Sequence, residues 1–272
     1  MTTVLPGHTL NVGAGQTSSG VIVDAGGTLN VLSGGTVSST IDSGLVNVSS
    51  GGQAVGTKVA SGGTLLIFSG GLADPTTILG HGIEIIHSGG VDSGALIKGG
   101  TQFDSGLASS ATVFTGSQVV VSGGTATSTT ISAGGTQIVA SGGSTLVAFV
   151  RLGGKQVVSG MAELVFVRSG GEQDIGHGGT AEGTLISGGT GKVFGGGLAL
   201  TGGFLLGFTV DSGGVEIVGS GGTASAVAVA SGGQLLVSSG GLASATTINL
   251  GGRGRVSAGG KSISASIRSG GT

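Results

Sequence analysis

The chain has 272 residues and a formal net charge of −2; 65 residues are glycine, 8% are charged, 3% are aromatic, and Cys, Trp and Tyr are absent. Without cysteine there is no disulfide framework and no thiolate metal or redox centre, and the charge balance leaves no electrostatic footprint for nucleic acid. Glycine at this density opposes helices, two prolines without a Gly-X-Y period exclude collagen, and 38% hydrophobic residues at low net charge are the reverse of a disordered composition.

From the N-terminus, Met1-Thr-Thr-Val-Leu-Pro-Gly7 shows neither the basic n-region nor the apolar h-region of a signal peptide. Glycine pairs then punctuate the chain at Gly26-Gly27, Gly34-Gly35, Gly62-Gly63, Gly70-Gly71 and onward. Towards the C-terminus Gly213, Gly232, Gly251 and Gly270 each open a pair and stand 19 residues apart, and Gly221, Gly240 and Gly259 keep the same interval between them. The unit is two arms of about 8 and about 11 residues, repeated upstream with one-residue slips.

About three residues before each first-arm turn stands a β-branched residue, from Val23, Ile41 and Val59 through Ile131, Val150 and Val167 to Val229, Ile248 and Ile267. A helix surface does not select this; a strand position stacked on its own copies does. A second column runs through Val31, Val48, Ile67 and Ile86, and a small one through Ala54, Ala73, Ala108 and Ala126. Short apolar arms between Gly turns predict an all-β fold, a right-handed single-stranded parallel β-helix (a solenoid) of about 14 coils of roughly 19 residues stacked about 4.8 Å apart. Residues 1–272 read as one elongated repeat domain, with irregular coils near 80–106 and an insertion near 196–210. Phe204 and Phe208 in that insertion either cover the adjacent core or form an exposed patch.

Polar residues also form columns. Gln102, Gln118, Gln137, Gln156 and Gln173 occupy one position in five successive coils, which reads as an amide ladder or as a polar stripe facing a partner. Asp24, Asp42, Arg151, Arg168, Asp211, Asn249 and Arg268 follow the β-branched column and read as a solvated corner or, alternatively, an interaction edge. Asp24 and Asp42, one coil apart, are the best carboxylate pair for glycoside chemistry, but the chain has no Trp or Tyr platform for a sugar. His81, Glu84 and His87 are close in sequence without a metal-ligand pattern, and no phosphate loop or calcium-roll repeat is present. Thr76-Thr77, Thr129-Thr130 and Thr246-Thr247 are too sparse for a flat ice-binding face. The chain is therefore expected to have no catalytic, cofactor-binding or metal-binding residues and no enzymatic activity.

The repeat G-G-x-A-x-x-T-x-[IV]-x-x-G-G-x-x-x-V-x-S-G-G is legible from Gly123 to Gly143 and recurs from Gly240 to Gly252. It resembles the repeats of self-associating autotransporter adhesins of the AIDA group. The resemblance implies an exported passenger domain on the outer membrane or cell surface of a Gram-negative bacterium, or a secreted one. It implies cell–cell aggregation, attachment and biofilm formation, with partners among second copies of the chain or host and surface glycans and proteins. It also implies modification of Ser or Thr by a heptosyltransferase, for which turn serines such as Ser33, Ser69, Ser88, Ser122, Ser141 and Ser169 are available. A passive spacer solenoid is the alternative, and a polysaccharide-active β-helix enzyme a more distant one. No C-terminal segment alternates like a barrel strand, so the chain is expected to be either a fragment of a longer adhesin or a short repeat protein with another export route.

Overall fold

The structure, a computed structural model, describes residues 2–132, 134–187, 190–193, 198–201 and 204–272. Among them the chain is all-β without helices, a single-stranded parallel β-helix of about 13 turns where the repeat count predicts about 14. Two compact units are distinguished: residues up to Gln137 with Gly142–Ser144, and Ile138–Ser141 with Thr145–Thr272.

In the first unit each turn is built from three short strands. One turn uses Thr64–Ile67, Leu72–Ala73 and Thr76–Leu79; the next uses Ile83–Ile86, Val91–Ser93 and the start of Leu96–Asp104. Thr64–Ile67 alternates half-buried and buried positions, the period of a strand with one face in the core. It pairs in parallel with Leu45–Val48 on one side and Ile83–Ile86 on the other, so each residue lies against its counterpart one coil away. The turns explain the glycines. At Gly70 φ is +74°, the left-handed region, and a Cβ there would stand 2.6 Å from Ser50 Oγ. Its N–H donates to Gly89 O at 2.8 Å, while Gly51 N donates to Gly70 O at 2.8 Å, so the turns bond to one another as the strands do.

The aliphatic columns meet inside. Val31, Val48, Ile67 and Ile86 are fully buried, as are Val59, Ile78, Ile97, Val113 and Ile131. Thr40, Thr57 and Thr76 line the same interior, followed by Ala95 and Ala111. In the second unit Val150, Val167, Val210 and Val229 are fully buried and Ile248 nearly so.

Ile41 breaks the expected column. It is 38% exposed, and the inward position between Val23 and Val59 belongs to Asp42, which is fully buried. The cause is a shortened corner. Val23 is followed six residues later by the inward Leu29, whereas Asp42 is followed four residues later by the inward Val46. Counting back from the glycine therefore misplaces the inward residue by one, and a one-residue shift exchanges the two faces of a strand.

The irregular stretch near 80–106 contains a bulge, at which Leu79 faces both Lys98 and Gly99. In the second unit the inserted segment adds a strand and moves the columns round by one arm. Ile175 pairs with Val193, and Val193 with Val210, which the repeat pattern assigns to a different column. Likewise Ala181 pairs with Ala199 and Ala199 with Glu216. Phe208 is buried and so covers the core. Residues 196–197 and 202–203 and the side chain of Phe204, also part of the expected insertion, lie outside the described residues.

Candidate interaction surface

The first strand of each turn presents two outward positions, and in the first unit they stack into two continuous columns. One runs Asn11, Asn30, Asn47, Leu66, Ile85, Phe103 and Val119. The other runs Thr9, Thr28, Leu45, Thr64, Ile83, Thr101 and Ser117. The asparagines hydrogen-bond along the axis: Asn30 Nδ2 donates to Asn11 Oδ1 at 2.8 Å, and Asn47 Nδ2 to Asn30 Oδ1 at 2.9 Å. Beyond Asn47 the column becomes apolar, with half-buried Leu66, Ile85, Phe103 and Val119 beside Ile83, which is 36% exposed. Neither column contains a charged residue, so a patterned but uncharged sheet face is exposed to solvent.

In the second unit the first strands carry charge instead. Lys155 Nζ bonds Asp174 Oδ2 at 2.5 Å and approaches Glu172 Oε1 at 3.5 Å, and Lys192 Nζ lies 3.6 Å from Glu172 Oε1. The Asp174 bond leads in raising the Lys155 ammonium above its ordinary range. The two pairs to Glu172 are part-exposed and contribute little stability, whereas Asp174 is itself buried.

The glutamines are not on the surface. Gln102, Gln118, Gln137, Gln156 and Gln173 are all fully buried, so the amide ladder is internal and a glutamine stripe facing a partner is ruled out. In the first unit Gln118 Nε2 donates to Gln102 Oε1 at 2.9 Å and Gln137 Nε2 to Gln118 Oε1 at 2.8 Å. Thr129 Oγ1 also donates to Gln118 Oε1, at 3.2 Å. In the second unit Gln173 Nε2 donates to Gln156 Oε1 at 2.9 Å.

Asp24 and Asp42 do not form a carboxylate pair. Asp24 is half-buried at the corner, whereas Asp42 points inward beside Val23. Gly44 N donates to Asp42 Oδ1 at 2.9 Å, supplying the acceptor that the shortened corner lacks. Burial nevertheless raises the Asp42 carboxyl to about 7, against the pull of the Gly44 and Thr64 backbone bonds. His81, Glu84 and His87 are likewise separated. His81 is exposed, His87 stacks on Phe68 with ring centroids 4.8 Å apart, and Glu84 is fully buried. Among the described residues no group of three or more His, Cys, Asp or Glu could hold a metal ion. In each threonine pair the first member is buried and the second half-buried, so the pairs do not form a double row facing water.

Sequence reasoning missed the buried acids. Besides Asp42, Glu84, Asp92 and Asp104 have no exposed surface. One signal was available: the run Asp-Ser-Gly-Leu occurs at 42–45 and at 104–107, each time with a single glycine where most corners have two. The turn serines Ser33, Ser69, Ser88, Ser122, Ser141 and Ser169 are all exposed.

No protein-family model matches the chain, and no curated protein matches it. Among solved structures it is similar to the crystal structure of the TibC-catalysed, hyper-glycosylated TibA55-350 fragment, with 34% sequence identity and a TM-score of 0.59, covering 99% of this chain and 93% of that one. Fold, repeat and sequence thus agree along nearly the full length of both chains. The chain belongs to the family of AIDA-like repeat β-helices that includes the TibA fragment.

Proposed function

We propose that the domain is a non-enzymatic adhesin passenger, displayed on the surface of a Gram-negative cell, that joins cells by binding second copies of itself. The observation that carries this reading is the uncharged outer face of the first unit, where two columns repeat once per coil from Thr9 and Asn11 to Ser117 and Val119. A like copy meets no charge repulsion there, and many weak contacts repeated along a sheet face add through multivalency. Cell aggregation and biofilm formation are the activities expected of such a face. The hyper-glycosylated state of the TibA fragment supports a second element: the exposed turn serines accept sugar from a dedicated glycosyltransferase.

Mixing tagged with untagged cells that display the chain tests the main reading. Co-aggregation is expected, and Phe103→Lys with Ile85→Lys, which place charge on the face, are expected to abolish it while surface display is unchanged. Aggregation that survives both substitutions moves the contact elsewhere, and no aggregation with the unaltered chain rejects homotypic adhesion.

A further inference from the structure

Two successive turns of the first unit carry three carboxyl groups at positions that neighbouring turns fill with neutral residues. Asp92 stands between Ala73 and Ala108, Asp104 between Ile86 and Val120, and Glu84 between Leu65 and Gln102. All three have no exposed surface. Their hydrogen bonds are too few for three anions. A single amide group, Gln102 Nε2, donates to Glu84 Oε2 at 2.9 Å and to Asp92 Oδ2 at 2.8 Å, and Thr76 Oγ1 reaches Asp92 Oδ1 only at 3.4 Å. Glu84 Oε1 and both oxygens of Asp104 have no hydrogen-bond partner.

The charged groups acting on these three are one another and Asp74, with no lysine, arginine or histidine among them. Lys98, on the strand Leu96–Asp104, holds its ammonium over the Phe114 ring at 5.8 Å, and His87 stacks on Phe68. Burial first, then mutual repulsion, raises Asp92 and Asp104 well above the carboxylate range. Burial leads for Glu84 too, which the Gln102 bond holds to about 8.

We infer that Glu84, Asp92 and Asp104 form a proton-operated lock inside the β-helix, which holds the turns over residues 83–120 closed while the three carboxyls are protonated and loosens them when the carboxyls ionise. Among the described residues no cation acts on the three carboxyls, and the few donors near them are the Gln102 amide, shared between Glu84 and Asp92, the Thr76 hydroxyl and the Gln118 amide beside Asp104, so ionisation requires water to enter between the coils. The unfolded segment has no such constraint and ionises near the ordinary carboxylate range. Closing these turns at neutral pH therefore takes up protons, and acidity favours the closed state.

Native-state hydrogen exchange on the full chain, read by mass spectrometry for peptides within 83–120 and corrected for intrinsic rates, tests this. Protection is expected to fall ~10-fold or more from about pH 5 to about pH 9. The neighbouring turns suggest the replacements: Glu84→Gln, Asp92→Ala and Asp104→Val together are expected to keep the protection and remove its pH dependence. If the triple variant does not fold, Asp104→Val alone is expected to flatten the pH dependence in part. Protection in the unaltered chain that does not change with pH, or that changes equally in the variants, overturns the lock.

Discussion

Asp42 and Val23 lie side by side on adjacent strands, both without exposed surface. The carboxyl is there because the corner that follows it is two residues short, and its Oδ1 takes the Gly44 N–H. Its folded-state value of about 7 lies above the 3.8 of an ordinary aspartate carboxyl. For an acid raised in this way the folded state holds a proton that the unfolded state has released. Its contribution to stability is thus complete below about pH 4, declines as pH rises to about 7, and is level above that. The full effect is of the order of 4 kcal/mol as an upper bound. Asp42→Asn keeps an oxygen for Gly44 N and is expected to remove this share of the slope; urea unfolding at several pH values, with the slope unchanged in the variant, would place the titration elsewhere.

Val229 stands in the second unit between Val210 and Ile248, with no exposed surface. Val229→Asp puts a carboxyl into that column without the short corner that serves Asp42. A loss of several kcal/mol is expected, read as a lower midpoint in thermal melting. An unchanged melting curve means that this side chain faces water.

Gln118 is the centre of the ladder in the first unit, donating to Gln102 and accepting from Gln137 and Thr129. Gln118→Leu preserves approximate size while leaving Gln102 Oε1 without its donor and Thr129 Oγ1 without its acceptor. Each buried polar group left unpaired costs about 1–3 kcal/mol, so chemical denaturation should show a clear loss. Gln118→Glu is expected to recover part of it under acid conditions, where the protonated side chain both donates and accepts. Equal stability of the leucine variant would make the ladder energetically idle.

Gly70 is required twice, by its φ of +74° and by the Ser50 hydroxyl 2.6 Å from the place of a Cβ. Gly70→Ala is expected to destabilise by about 1–3 kcal/mol. Combining it with Ser50→Gly relieves the contact and leaves the backbone strain, so the double variant should recover only part of the loss. Full recovery would assign the whole requirement to the side-chain contact.

Much of the fold is legible in the residues themselves, because a solenoid coil repeats one environment and the column at each position reports it many times over. Val59, Ile78 and Ile97 needed no coordinates to be placed in a dry interior, and Gly-Gly corners near a 19-residue interval imply the stacking. Composition likewise disfavoured helices, disulfide frameworks and nucleic-acid binding. The same averaging hides the exceptions. Ile41 looks like another member of its column, and only the residue count round the corner shows that Asp42 has taken its place. Glu84, Asp92 and Asp104 are unexpected inside because charge ordinarily stays in water, and the glutamines could have faced either way, since strand periodicity marks two faces without saying which is wet.

What the sequence determined by itself is therefore the repeat: coil length, turn chemistry and the aliphatic core, all of them local preferences multiplied by stacking. The tertiary structure decided the register at corners of unusual length, and with it which polar groups were buried. The physical reason is that a strand exchanges its inner and outer faces with a shift of one residue, and that shift is set by how the chain rounds the preceding corner, a property of the neighbouring coils as much as of the segment's own residues.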